Sequence, residues 1–404
     1  MGGIVVINEG FLDNVACDPR LVGLETLLAP FAAHTSSQRL AMLSSHANQA
    51  LVLHGGEPPR VGTGFESMIG EYEFDPTKRE QDIQILAIIP KYIIGTGAFP
   101  IRNNPTITVI YRGNSDGKVN YFHLNTFTKC MDGYGYENKW QNTHYLSVGN
   151  YVPRDVKFTS SPIHKGNFYS MGTNANTAYM SLDGVTKDAF IISESLAKKL
   201  NSSAIKTIDF KVSPEQIPLN LYGNDMEYRF MPDIGEQVRE DGLLCCFRKP
   251  TDDTFISDTM GDALSAPQIL HDLTYVVPYN ATIMDITIDI NRNYKNRIPE
   301  NIYTQMIKYK ESINQYYLKI IEAYQRAVAD NTPISSPFNT LVTDAYAMLL
   351  AEGIRVPGFN KRMNISLMKK KDPIEFMHIS VTYMYDNVVA NGYKISDRQG
   401  GLTR

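Results

Sequence analysis

A chain of 404 residues is long enough to bury a large core and to form two or three domains. Its composition, 43% hydrophobic and 20% charged, is that of a globular protein, and a net charge of −4 argues against a freestanding DNA-coating protein, which needs a basic excess. No apolar run reaches the roughly 18 residues of a membrane span, the start MGGIVVINEGFLDNV lacks the basic and long apolar regions of a secretory signal, and Cys17, Cys130, Cys245 and Cys246 form no CxxC pair, which predicts neither a zinc site nor a disulfide framework and suits a reducing compartment.

Residues 1–56 mix helical and irregular signals. Leu21, Leu24, Leu27 and Leu28 recur at helical spacing before Pro30, and a stretch with interleaved polar residues then runs to Gly55-Gly56. From about 60 to 200 the chain reads as β-rich. The apolar run IQILAIIPKYII (84–94) and the alternating TITVIYR (106–112) and KVNYFHL (118–124) are strands, with Asn-Ser-Asp-Gly at 114–117 as a hairpin turn. AFIISESLAKKL (189–200) reads as a strand running into a short helix. Residues 201–298 continue in short strands, TIDFKV, EYRFM, GLLCCFR and ATIMDITIDI.

The texture changes at Pro299. Ile302, Met306, Tyr309, Ile313, Tyr316, Ile320, Tyr324 and Ala327 step by three or four, which predicts one face of an amphipathic helix over about 300–328 with the proline at its start. A second helix is expected over 338–352, stopping at Gly353, and FMHISVTYMYDN from 376 is strand-like again. There is no internal repeat or low-complexity tract. The pattern predicts a β-rich unit, an inserted β-plus-helix unit at roughly 205–374, and a return to the first unit.

Taken singly, the polar motifs are bland. PRVGTGFE (59–66) sets two glycines around a threonine before a carboxylate, but no Lys-Ser/Thr follows, so it is a turn and not a phosphate loop. Arg39 reads as a surface or ion-paired arginine, Asp188 as a cap at the entry to an apolar strand, and GYKISDRQGG (392–401) as a solvated loop. His34, His46 and His54 lack a metal-binding spacing. KRMNISLMKKK (361–371) is a basic cluster whose default reading is a solvated face. Asp285 and Asp289 alternate with apolar residues and read as structural.

Taken in order, four of these stretches share a resemblance. PFAAHTSSQRLAMLSSHANQAL followed by PPRVGTGFE, then AYMSLDGVTKDAFIISESL, then PDIGEQVREDGLLCCFRKP, and finally ISVTYMYDNVVANGYKISDRQGG resemble, in the same order, motifs of the β subunit of multisubunit DNA-directed RNA polymerases. The departures are specific. The family's acidic pair is Lys187-Asp188 here, its arginine before Gln-Ala is Asn48, the aspartate of its Gly-Asp-Lys is Tyr393, and Leu402 stands near its second lysine. The stretches that flank this region in a full β subunit are not part of the sequence. The likeness is therefore to the shortened, divided β subunit of giant (jumbo) bacteriophages.

The resemblance implies a mainly β fold with helices (α+β): a double-psi β-barrel and hybrid-binding region at 1–204 and 375–404, interrupted by a flap (wall) at 205–374 that the long helix decorates. It implies Mg²⁺-dependent nucleotidyl transfer in an assembled enzyme. Arg39 would hold the triphosphate, Gln49 would touch the RNA, and Arg398 would contact a phosphate. Lys394 would lie against the RNA 3′ end, and Asp188 would sit near a second Mg²⁺, directly or through water. The main Mg²⁺ ligands would come from another subunit, since the chain has no D-x-D-x-D run. The implied partners are β′-like chains, N- and C-terminal β fragments, a promoter-recognition subunit at the flap, template DNA, RNA and nucleoside triphosphates, in the infected cell's cytoplasm or in the virion and away from membrane. A further expectation is that a separate chain supplies strands next to Gly400 and Gly401. The rival reading is a non-catalytic scaffold module.

Overall fold

The computed structural model describes residues 23–71, 80–92, 104–130, 133–166, 168–181, 189–249, 272–291, 300–359, 376–391, 393–395 and 398–403. Its helices are α1 (Leu24–Leu27), α2 (Ser37–Ala47), α3 (Phe65–Glu71), α4 (Glu194–Lys199), α5 (Glu300–Ala329) and α6 (Ser336–Ala351). The strands are β1 (Ile83–Pro90), β2 (Thr106–Gly113), β3 (Val119–Asn125), β4 (Phe127–Lys129), β5 (Gly135–Glu137), β6 (Lys139–Trp140), β7 (Tyr151–Val152), β8 (Thr159–Ser160), β9 (His164–Lys165) and β10 (Phe168–Tyr169). They continue with β11 (Ala189–Ser193), β12 (Ser202–Val212), β13 (Ile217–Pro218), β14 (Leu243–Arg248), β15 (Asp272–Val276), β16 (Thr282–Ile290), β17 (Met377–Asn387), β18 (Lys394–Ile395) and β19 (Arg398–Thr403). The fold is mixed α and β, and among the described residues every pair of strands except β11–β19 is antiparallel.

The chain forms two compact units. The first joins Met1–Glu73, Pro162–Asn201 and Val388–Arg404, and the second joins Phe74–Ser161 and Ser202–Asn387. The chain leaves the first unit twice, for Phe74–Ser161 and for Ser202–Asn387. The excursion returns at 387, because β17 pairs with β12 over its whole length, and Phe74–Ser161 clusters with the second unit.

The second unit is built on a five-stranded sheet, β16-β17-β12-β5-β4. The β12–β17 ladder runs from Ser202↔Asn387 to Val212↔Met377. Because side chains alternate across a strand, Phe210, Val212, Ile379 and Val381 enter one apolar core with Ile283, Ile286 and Ile288 of β16. The opposite face is polar: the Thr207 and Thr382 hydroxyls meet at 3.0 Å, and Ser380 donates to Asp209.

A four-stranded sheet, β3-β2-β1-β7, puts Ile83, Ile85, Val109, Phe122 and Leu124 into a second core. The β2–β3 hairpin turns at 114–117 as expected, with Gly117 at φ 65° and the Gly113 N–H donating to the Lys118 carbonyl at 3.0 Å.

Helix α5 is longer by one residue than the periodicity predicts, and α6 is capped by the Ser335 hydroxyl, which accepts from the Phe338 N–H at 3.2 Å. Helix α5 packs into its unit along two stretches. Tyr309 lies in the core of β16 and β17, while Tyr316, Ile320, Ile321 and Ala327 lie in a separate core with α6 and with Ile89 and Ile110. The helix is a wall shared by two cores. The Ile302 and Met306 side chains fall outside the described residues.

Polar groups fix the placement of α5. The Tyr309 hydroxyl donates to Asp233, which also meets Arg229 at 3.5 Å and Lys308 at 3.4 Å. Tyr92 packs edge-on against Tyr309 and donates to Asp285 at 2.8 Å, and Lys91 pairs with Asp285 at 2.7 Å. Burial, with a carboxylate beside each, pushes both phenols well above their ordinary pKa. Asp285 is thus structural, as the sequence suggested.

The expected strand at EYRFM is not formed. Phe230 and Met231 are fully buried, but the Arg229 N–H donates to the Asn220 side chain at 2.8 Å, a local bond that replaces a ladder partner. In the neighbouring sheet β13-β14-β15 all six residues of β14 are buried, and Gly242 (φ 74°) turns the chain where a Cβ would stand 2.4 Å from the Val277 carbonyl oxygen. Arg248 and Asp272 pair inside this sheet through Nε–Oδ1 at 2.9 Å and an Nη2 contact at 2.8 Å, with side chains 1% and 0% exposed. No helix among the described residues is long and apolar enough to cross a membrane.

Removing one partner of a buried ion pair leaves an uncompensated charge, which costs roughly 3–5 kcal/mol. Asp272→Ala is therefore expected to lower the urea stability by about that much, and the double variant Arg248→Met/Asp272→Leu by clearly less. Equal loss in the two would show that shape, and not charge, dominates this site.

Candidate functional site

All five residues singled out from the sequence belong to segments of the first unit. Helix α2 is capped by Ser36, whose hydroxyl accepts the Arg39 N–H at 3.4 Å, and none of its residues is buried. The Thr26 and Ser44 hydroxyls, 2.8 Å apart, tie it to α1. Arg39 is exposed, and its guanidinium approaches the Met42 sulfur at 3.9 Å. No carboxylate pairs with it among the described residues. Gln49 is also exposed, just beyond the helix, where its N–H donates to the His46 carbonyl at 3.1 Å.

The VGTGFE turn folds onto its own carboxylate. Glu66 is buried and accepts from the Thr63 N–H at 2.9 and 3.1 Å, from the Gly64 N–H at 2.8 Å and from the Thr63 hydroxyl at 3.3 Å. Burial alone would raise its pKa, but these donors outweigh burial and hold it below the ordinary value of 4.5. The Thr63-x-x-Glu66 spacing is the sequence signal for α3, a helix start that the glycines obscured.

A three-stranded sheet, β11-β19-β18, gathers the other candidates. Gln399 of β19 pairs with Ala189 of β11 on one side and with Lys394 of β18 on the other, and Ile395 pairs with Arg398. The backbone thus sets Lys394 and Ala189 on either side of one residue. Asp188, which precedes Ala189, lies outside the described residues, as do the side chains of Lys394 and Arg398 and the basic run 361–371. No hydrogen bond or ion pair among the described residues joins the Arg39 side chain to this sheet.

Two residues missed in the sequence, Glu57 and Asn174, connect the pieces. The Glu57 Oε2 atom accepts the Asn174 N–H at 3.1 Å and its Nδ2 at 3.3 Å, and the Glu57 Oε1 atom lies 3.7 Å from Lys199 Nζ at the end of α4. Its carboxyl pKa is lowered, first by the Asn174 backbone N–H and then by the Asn174 side chain. Beside them is a cavity of about 220 Å³ lined by Leu28, Pro59, Tyr169, Met171 and Thr173, among others. Only the Gly55-Gly56 break hinted that this loop is closely packed.

Among the described residues there is no group of three or more His, Cys, Asp or Glu able to hold a metal ion. The described residues thus offer no carboxylate cluster for Mg²⁺.

No protein-family model matches the chain. It is similar to proteins named DNA-directed RNA polymerase subunit beta: 26% identical over 277 residues to that of Tropheryma whipplei, covering 63% of this chain and 22% of the relative. It is 25% identical over 240 residues to that of Anaplasma marginale, covering 58% and 16%, and 23% identical over 258 residues to that of Corynebacterium efficiens, covering 60% and 20%. The chain thus spans about a fifth of the length of the curated relatives it matches.

Since the folded pKa of Glu66 is depressed, its contribution to stability is present above the ordinary carboxylate pKa of 4.5 and is lost as pH falls through the folded value. Glu66→Gln is expected to cost about 1–2 kcal/mol at pH 7 and to flatten the acid limb of the stability curve. Wild-type and variant curves that stay parallel below pH 5 would remove Glu66 from this role.

Proposed function

We propose that the chain is a β-like subunit of a multisubunit DNA-directed RNA polymerase, of the divided kind used by giant bacteriophages. It would serve nucleotidyl transfer only within the assembled enzyme. The observation that carries this reading is that Arg39, Gln49, Lys394 and Arg398 belong to segments distant in sequence that fold into one compact unit, with Lys394 and the residue after Asp188 flanking Gln399. The order of the family-like motifs and the similarity to bacterial β subunits support it from the sequence side.

In this reading the first unit is part of a double-psi barrel and the second contains the flap. Arg39, exposed and without a carboxylate partner among the described residues, grips the triphosphate, because a planar guanidinium holds phosphate oxygens in a bidentate geometry. Lys394 brings a compact positive charge to the RNA 3′ end, Gln49 touches the RNA, and Arg398 contacts a phosphate. Asp188 stands beside the incoming nucleotide. None of them does acid–base work; they position groups and stabilise charge. No step is assigned to a metal held by this chain.

Both units expose large apolar side chains, Met226 of the second at 96% among them. Tyr179 is 98% exposed, Phe31 70% and Met180 68%, while the apolar clusters formed by described residues all lie in the second unit. Partner chains of β and β′ type would cover such side chains in the first unit, and a promoter-recognition subunit those of the flap.

The isolated chain is expected to make no RNA from template, triphosphates and Mg²⁺, and the co-expressed assembly to do so. Templated product from this chain alone would refute the subunit reading. In the assembly, Arg39→Ala should lower catalytic efficiency roughly 10- to 150-fold, the worth of a charge-assisted contact of about 1.5–3 kcal/mol. Unchanged kinetics across a triphosphate titration would favour the alternative, a non-catalytic scaffold.

A further inference from the structure

Residues 54–60 leave the α2 region with no sustained ladder or helix of their own, yet their position is closely defined. The His54 N–H donates to the Asn201 carbonyl at 3.1 Å, and the Glu57 N–H donates to the Gly172 carbonyl at 2.8 Å. Gly56 passes so near the Ser170 carbonyl that a Cβ would stand 1.8 Å from its oxygen. Asn174 then holds the loop at three points. Its Nδ2 donates to Glu57 at 3.3 Å and to the Pro58 carbonyl at 2.9 Å, and its Oδ1 accepts the Arg60 N–H at 3.3 Å. An amide has two donor hydrogens and one acceptor oxygen, so its capacity is matched to this loop and no other side chain of its size offers the same set.

The clamp connects distant parts of the first unit. On one side the loop continues from α2, with Arg39 and Gln49, and leads into the VGTGFE turn. On the other, Asn174 stands before the segment containing Asp188. Lys199 and Asn201 follow β11, whose partner β19 forms the hairpin with β18 and Lys394. The bonds at Glu57, Asn174, Lys199 and Asn201 therefore tie the loop that follows the arginine-bearing helix to the segments that precede and follow β11.

We infer that Asn174, with Glu57 as its charged partner, is a positioning residue that sets where α2 holds Arg39 relative to the β11-β19-β18 sheet. Loss of the clamp lets α2 drift, so the triphosphate is gripped in the wrong place while the groups themselves remain. This rests on the polymerase reading above.

The test is steady-state nucleotide addition by the assembled enzyme on a preformed RNA–DNA scaffold, with the active fraction counted by single-turnover extension. Asn174→Ala is expected to raise the apparent KM for the triphosphate on the order of 10- to 100-fold, the cost of a misplacement of about an ångström, with a smaller change in kcat per active site. A merely structural role would lower the active fraction and leave KM alone, and that result would overturn the inference. If Asn174→Ala fails to assemble, Asn174→Asp and Glu57→Gln serve instead. The first sets a second carboxylate against Glu57 and is expected to raise KM. Combining the two substitutions is expected to recover part of the loss, because the amide introduced by Glu57→Gln can donate to the carboxylate introduced by Asn174→Asp. Unchanged KM in Asn174→Asp, or no recovery in the double variant, counts against the clamp. Failure of the wild-type assembly to make RNA would instead overturn the polymerase reading, so the two failures are distinguishable.

Discussion

The pairing of β12 with β17 is the constraint on which the rest of the molecule depends. Ser202 and Asn387 stand opposite each other at one end of the ladder, joined side chain to side chain at 3.3 Å. Everything between them is therefore a closed excursion, and the stretches that end at Asn201 and begin at Val388 start from neighbouring residues. A one-residue slip of β12 against β17 would turn Phe210 and Val212 out of the core and bring Thr207 and Asp209 inward. It would also shift the return point that leads to β18 and β19.

The two units are held by different forces. In the second, large apolar side chains fill contiguous cores, and α5 is buried against two of them at once. Cutting out α5 and α6 would open both, so this helical pair cannot be treated as a removable appendage. In the first, the buried apolar side chains among the described residues are few and small, chiefly Ala29, Val52, Leu53, Ile192 and Ala197. Its order comes from side chain–backbone bonds at Ser36, Thr63, Glu66, Asn174 and Ser193. Such bonds are directional, and they fix loops that an apolar core would leave free to slide.

What was legible in the sequence follows from this contrast. The long helix, the hairpin at 114–117 and the strands of β1, β2, β3, β14, β16 and β17 were readable because each is set by local periodicity and turn chemistry. The β12–β17 pairing was not, since alternation says which face is buried but not which strand lies opposite. EYRFM was misread because Phe230 and Met231 are buried from an irregular backbone, which burial pattern alone cannot distinguish from a strand. Of the candidate site, Arg39 and the loop around Lys394 were found only through the resemblance; their composition is that of ordinary surface. Glu57 and Asn174 carried no local signal, because an amide that bridges a loop to a distant segment looks like any other polar residue until the fold brings the two together.

The treatment of charge in the first unit gives the candidate site its sign. Among the described residues of this unit, Glu57 and Glu66 are the carboxylates with depressed pKa, and both have donors: Asn174 and Lys199 for one, Thr63 and Gly64 for the other. Their negative charge is met locally by N–H dipoles and one lysine. Arg39 has no such partner among the described residues and stays open to solvent. A protein with a net charge of −4 thus presents a guanidinium with no carboxylate partner among the described residues. The ligand that such a group recruits is an anion able to accept two parallel N–H bonds, and in the proposed reading that anion is the triphosphate of the incoming nucleotide. A lysine at position 39 would keep the charge but not the fork, so its failure to replace the arginine would separate geometric recognition from simple attraction.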